Sequence, residues 1–229
     1  VTNSACKTLI CKDCSGPVFS NLGLGQLSNL TTLDLSGCKT LDNSKGSLVL
    51  SDTCQLETVY LHNTSFASVK STADAEEDGT FNFSNLSSTE NPISKISLHT
   101  NSYLKKLKGL KYVGSLQNKA PSDGGFLYKC SALETLEDCS INSSNNTSCA
   151  RMFYGCSNLR TIDASNTFTF KKINSANAIF RDCKKIQWSS VNYILTALAG
   201  TDSKTLDLNL FLHGACCLDA YGTAITFEL

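Results

Sequence analysis

The chain has 229 residues, 41% apolar and 17% charged, with 20 Lys and Arg set against 20 Asp and Glu. That is apolar enough to bury a core and unlike the charged, apolar-poor signature of disorder. Zero net charge excludes a chain that coats nucleic acid or anionic lipid through a basic field, and no stretch reaches the ~18 continuous apolar residues of a membrane helix. The chain opens with Val1 and shows no charged-then-apolar leader, so it reads as a processed product or an excised fragment.

Residues 1–26 hold Cys6, Cys11 and Cys14 and read as an N-terminal cap. From Leu30 a strand phrase begins: Leu30-Thr-Thr-Leu33-Asp-Leu35, then Leu56-Glu-Thr-Val59-Tyr-Leu61, 26 residues later (30 to 56). Residues 71–92, with Ala75-Glu76-Glu77-Asp78-Gly79, read as an inserted surface loop. Ile93-Ser-Lys-Ile96-Ser-Leu98 repeats the phrase, and Leu110-x-x-Val113 is a weaker copy. A second phrase then takes over: Phe126-Leu-Tyr-Lys-Cys130-Ser-Ala-Leu133, Met152-Phe-Tyr-Gly-Cys156-Ser-Asn-Leu159 and Ile179-Phe-Arg-Asp-Cys183-Lys-Lys-Ile186. Its cysteines are 26 and 27 residues apart (130 to 156, 156 to 183), and its aliphatics open Leu133-x-x-Leu136 and Leu159-x-x-Ile162. A second polar loop runs from Ile141 to Ser148. Ser189 and Ser190 precede Val191, Ile194, Leu195 and Leu198, an i, i+3, i+4, i+7 stripe that stops at Gly200, which predicts a helix. Leu206, Leu208, Leu210 and Leu212 alternate as a strand. Helix and strand together make a C-terminal cap over 187–229.

Alternation inside each phrase turns the aliphatics inward and the residues between them outward. One such unit cannot bury its apolar side alone, whereas stacked units share a continuous core. These phrases resemble the leucine-rich repeat superfamily, and the Met/Ile-Phe-x-x-Cys-x-x-Leu segments resemble its BspA-like surface-protein branch, over about residues 27–186. The resemblance implies an α/β solenoid: one domain, 1–229, with short parallel strands and terminal caps. The spacing is irregular between Leu56 and Leu133, and the Asn that follows the strand in common leucine-rich repeats is mostly missing.

Eight of the twelve cysteines carry one of two expectations. Cys6, Cys11, Cys14, Cys216 and Cys217 are disulfide candidates, because bridges reinforce a cap with few apolar residues. Cys130, Cys156 and Cys183 occupy equivalent positions and should form a buried column of thiols. Sequons at Asn29, Asn63, Asn82, Asn85, Asn142, Asn145 and Asn146 are a small excess over chance and decide little; the missing start and the Ser/Thr/Asn-rich composition point to an extracellular or cell-surface setting.

Catalytic and metal motifs stay incomplete. Cys11-x-x-Cys14 has no second pair at zinc spacing. His62 and His99 sit at equivalent repeat positions, where a stack could bind metal, but exposed or locally bonded side chains are the simpler reading. Ser4-x-x-Lys7 and Ser36-x-x-Lys39 lack the companion motifs of serine acylases. No catalytic residue, metal or cofactor is therefore expected, and the reading is a non-enzymatic recognition or adhesion module. Its sheet-face candidates are Thr32, Asp34, Thr58, Tyr60, Lys95, Ser97, Thr135, Glu137, Thr161 and Asp163, short polar residues suited to a protein or glycan partner. The resemblance implies host or matrix partners. A structural subunit of a surface layer, fibre or phage particle, capable of self-assembly, is the alternative.

Overall fold

The computed structural model describes residues 5–16, 21–40, 46–75, 77–116, 125–143, 148–173, 175–199, 217–219 and 221–224. Within these the chain is a succession of two- to six-residue strands paired in parallel, with one helix. Strands β1 (Thr8–Ile10), β3 (Thr32–Asp34), β5 (Thr58–Tyr60) and β8 (Lys95–Ser97) form one sheet. A second sheet runs β13 (Thr161–Ile162), β11 (Thr135–Glu137), β9 (Lys106–Lys108), β7 (Thr80–Asn82), β6 (Phe66–Ser71), β4 (Gly46–Leu50) and β2 (Asn21–Leu24). A third joins β10 (Lys111–Val113), β12 (Ser140–Asn142) and β14 (Thr167–Thr169), and β15 (Ile186–Gln187) pairs with β16 (Cys217–Leu218). Isolated two- or three-residue pairs have no stability of their own. They persist because Leu33, Val59 and Ile96, and likewise Leu107, Leu136 and Ile162, pair in register and send their side chains into one shared core.

A single backbone corner ties the succession together. Asp13, Gly37, Asn63, Thr100, Lys129, Gly155 and Asp182 all have positive φ. Each of the first six donates its N–H to the carbonyl just before the next: Ser36, His62, His99, Tyr128, Tyr154 and Arg181, at 2.7–3.1 Å. The long step from Asn63 to Thr100 accommodates one extra strand, since it holds β6, β7 and β8 where the other steps hold two, without breaking the column. Glycine suits position 37, at φ 73°, because a Cβ there would lie 2.0 Å from Asp13 Oδ1 and displace that side chain. Thr100, branched at Cβ, is held at φ 61° at an energetic cost.

The residue after each corner closes the rung below. Cys38, Cys130, Cys156 and Cys183 are fully buried, and their thiols point to the carbonyls of Cys11 (2.8 Å), Leu98 (3.2 Å), Leu127 (3.1 Å) and Phe153 (3.1 Å). Asn101 fills the same position and does more. Its Oδ1 accepts the Thr64 N–H at 2.9 Å, while its Nδ2 donates to the carbonyls of Leu61 (2.8 Å) and Leu98 (3.0 Å). A second corner carries Gly109 and Asp138 at positive φ, and there Asn166 repeats the role, accepting from Cys139 N and donating to Leu136 O.

Several expectations need adjusting. Within 71–92, Thr80–Asn82 is strand β7, and Phe81, Phe83 and Leu86 are fully buried, so that segment supplies a side of the stack rather than a surface loop. Three core aromatics and aliphatics hidden in a polar run outweigh the run's average polarity. Residues 1–26 contribute β1 and β2, which pair with β3 and β4 as any later rung does. The helix α1 spans Trp188–Ala199, buries Ser190, Val191, Ile194 and Leu198, and packs against β13, β14 and β15. The Leu206–Leu212 strand expectation lies outside the described residues, as does Cys216. No helix among the described residues is long and apolar enough to cross a membrane.

Candidate binding face

The ten residues expected on one face divide between two sheets. Thr32, Thr58 and Lys95 align as one cross-strand row, and Asp34, Tyr60 and Ser97 as another, with Thr8 and Ile10 extending both rows onto β1. Thr135 and Thr161 pair instead in the second sheet, Thr161 Oγ1 donating to Thr135 Oγ1 at 3.0 Å, and Glu137 lies beside Lys108. Asp163 follows β13, exposed, and accepts from Ser165 N (2.9 Å) and Oγ (2.6 Å). The division has a simple cause. Leu30-x-x-Leu33, Leu56-x-x-Val59 and Ile93-x-x-Ile96 precede the positive-φ corner, whereas Leu133-x-x-Leu136 and Leu159-x-x-Ile162 follow it, so one phrase lies on two sides of the stack.

Exposure narrows the first face. Asp34 and Ser97 are only 3% and 4% exposed. Burial by itself would raise the Asp34 carboxyl, but hydrogen bonds from Ser36 Oγ (2.6 Å), the Lys12 ammonium (2.9 Å) and Ser36 N (3.1 Å) outweigh it and hold the group below the usual carboxylate range. Asp34 is thus a fastener between the first rungs, and Thr32, Thr58, Tyr60 and Lys95 remain within reach of a partner. The second face is a charged mesh: Lys106 lies 2.6 Å from Glu77 and 3.6 Å from Glu137, and Lys108 lies 3.5 Å from Glu137. The bond from Lys106 lowers the Glu77 carboxyl, and the same bond raises the Lys106 ammonium.

A further row borders the first sheet and continues past it. Immediately before successive corner residues stand His62, His99, Tyr128, Tyr154 and Arg181, all partly exposed. The His62 and His99 rings stack with centroids 4.4 Å apart and planes 15° apart. The Tyr128 and Tyr154 rings lie 5.1 Å apart, the Arg181 guanidinium sits 5.4 Å from the Tyr154 ring, and Lys129 Nζ sits 5.2 Å from that of Tyr128. Sequence reasoning singles out the two histidines but not the rest. The available signal was their shared position, two residues before Cys130, Cys156 and Cys183, or before Thr64 and Asn101.

The chain matches no protein-family model, no curated protein and no solved structure. Its chemistry is therefore read from its own side chains. Among the described residues no group of three or more His, Cys, Asp or Glu is placed to hold a metal ion, and no two cysteine sulfurs lie at bonding distance. Burial pushes the thiol of Cys54 up to about 11 and those of Cys130, Cys139 and Cys149 up to about 12, so they stay protonated and poorly nucleophilic at neutral pH. A cleft of about 340 Å³ between the Asp52–Gln55 and Ser84–Ser88 turns is lined by hydroxyls and amides, with Asp52 its one carboxylate. The arrangement offers hydrogen-bonding and stacking groups on a fixed backbone.

Proposed function

We propose that the chain is a leucine-rich-repeat solenoid of the BspA-like branch, with residues 1–26 forming its terminal rung and 187–229 its C-terminal cap. Its function is that of a non-enzymatic recognition or adhesion module at the cell surface or outside it. It binds a protein or glycan along the first sheet and the row beside it. The observation that carries this reading is the row His62, His99, Tyr128, Tyr154 and Arg181, in which the two imidazoles stack and Tyr128 and Arg181 both lie against Tyr154, bordered by Thr32, Thr58, Tyr60 and Lys95. Side chains already packed against one another lose little freedom when a partner arrives, which favours affinity for an extended ligand. Tyr and Arg are also the residue types that most often dominate binding energy. Their hydroxyl and guanidinium groups suit a polar partner.

The alternative, a subunit of a layer, fibre or phage particle, draws on the end strand β1. It pairs on one side only among the described residues, and its Ile10 is 60% exposed, a combination that invites edge-to-edge pairing. Probing glycan and matrix-protein arrays with the intact chain, alongside light scattering on a size-exclusion column, separates the two. A monomer that binds a defined ligand supports recognition; polymers without ligand support assembly.

A further inference from the structure

We propose that Cys11 and Cys14 are a redox-active dithiol that closes to a disulfide in place and fastens the first rung of the stack. The two sulfurs are 3.0 Å apart, in direct hydrogen-bonding contact. Asp13, at φ 51°, folds the chain between them so that side chains three residues apart converge. Both residues are only partly buried, so a small reagent reaches them. The deeper thiols differ. Cys130, Cys156 and Cys183 are fully buried, and each is directed at a backbone carbonyl of the neighbouring rung. Cys38 packs beside the pair, but it is fully buried and donates to the Cys11 carbonyl at 2.8 Å.

The co-reactant is a low-molecular-weight disulfide such as oxidised glutathione. The Cys11 thiolate attacks one of its sulfurs, forming a mixed disulfide and expelling one small thiolate. The Cys14 thiolate then attacks Cys11 Sγ, forming the Cys11–Cys14 bond and releasing the second small thiol. The protein gives up two electrons and two protons; the small disulfide gains them and becomes two thiols. The reverse reaction reopens the pair in a reducing setting.

The consequence falls on β1. That strand is held by three paired residues and, just beyond it, by Cys11 N donating to Asp34 O at 2.8 Å and the Lys12–Asp34 ion pair. Closing a ring across Cys11 and Cys14 restrains the segment that carries those anchors. Oxidation therefore orders the end rung, while the other rungs keep their thiols.

The test equilibrates the full chain in glutathione buffers of graded poise, alkylates the remaining thiols, and maps both masses and peptides. The expected result is loss of two alkylation sites together, assigned to Cys11 and Cys14, with no lasting glutathione adduct. Cys14→Ser should instead keep one glutathione on Cys11, and Cys11→Ser should keep one on Cys14. Oxidation should also slow hydrogen exchange several-fold in the β1 region and leave β9 and β11 unchanged. The proposal is overturned by a bridge to Cys6 or Cys38, by two independently alkylated thiols under oxidising poise, or by unaltered exchange at β1. The peptide map and the exchange rates of the wild-type chain decide the matter even where a variant fails to fold.

Discussion

Replacing Asn101 tests the corner column at the step where the chain is longest. The side chain is fully buried and makes four hydrogen bonds: Oδ1 accepts from Thr64 N (2.9 Å) and Thr64 Oγ1 (3.2 Å), and Nδ2 donates to Leu61 O (2.8 Å) and Leu98 O (3.0 Å). Asn101→Ala does not orphan all of these partners. Leu98 O keeps the Cys130 thiol, and the Thr64 hydroxyl, whose one proton lies between Asn101 Oδ1 and Leu61 O (3.2 Å each), turns to Leu61 O. The Thr64 N–H, however, loses its acceptor in a dry setting, at a cost of about 1–3 kcal/mol. Adding about 1 kcal/mol for the lost bond to Leu61 O, which the Thr64 hydroxyl replaces only in part, gives a loss of roughly 2–4 kcal/mol for Asn101→Ala. Asn101→Cys copies the neighbouring rungs and restores a donor to Leu61 O but no acceptor for Thr64 N–H, so it should lose only about 1–3 kcal/mol. Urea unfolding followed by circular dichroism measures both, with the slope checked because stacked repeats need not unfold in one step. Equal losses for Ala and Cys, or a loss under about 0.5 kcal/mol for Ala, would refute the role assigned to this position.

Other outcomes follow from the same geometry. Leu159, fully buried, should cost about 2–5 kcal/mol on replacement by Ala, whereas exposed Asp163→Ala should stay within about 0.5 kcal/mol; melting temperatures of the two variants compare them directly. Thr100→Gly should stabilise by about 1 kcal/mol, because glycine accepts φ 61° without a branched Cβ; a loss of stability in the same urea assay would contradict this. Alkali should unfold the chain. Cys130, Cys139 and Cys149 have folded values of about 12 against an unfolded value near 8.5, so their stabilisation is complete below about pH 8.5 and is lost as pH rises toward 12. Stability should fall steadily across that window, and a midpoint denaturant concentration that stays constant from about pH 9 to 11 would exclude it.

How much was legible in the sequence depended on whether a signal was carried by residue type or by backbone conformation. The phrases at Leu30, Leu56 and Ile93 coincide with β3, β5 and β8, because alternating aliphatics need only count to two. The equivalence of Cys130, Cys156 and Cys183 was readable from their spacing, and the helix from its apolar stripe, although Ser189 and Ser190, expected to precede it, lie in its first turn because it starts at Trp188. The corner column was not. Its members are Asp, Gly, Asn, Thr, Lys, Gly and Asp, so no residue type marks it, and only φ reveals it. Without the corner, phrases before and after it look alike, which is why ten outward residues were placed on a single face. Asn101 and Asn166 hid for a related reason: the position they share with Cys and Thr is defined by the carbonyl it must reach, not by one side chain. The row from His62 to Arg181 mixes imidazole, phenol and guanidinium, a set that hydrophobic patterning does not register.

Ligand affinity across that row is the most direct measurement. A partner selected on the arrays is titrated against wild type, Tyr154→Ala, and Lys171→Ala, the last altering an exposed residue that follows β14 on a different sheet. A central aromatic contact is worth about 2 kcal/mol or more, so Tyr154→Ala should weaken binding by roughly 30-fold while Lys171→Ala leaves it unchanged. A wild-type chain that binds nothing on the arrays, or a Tyr154→Ala variant that binds as tightly as wild type, would contradict the recognition role.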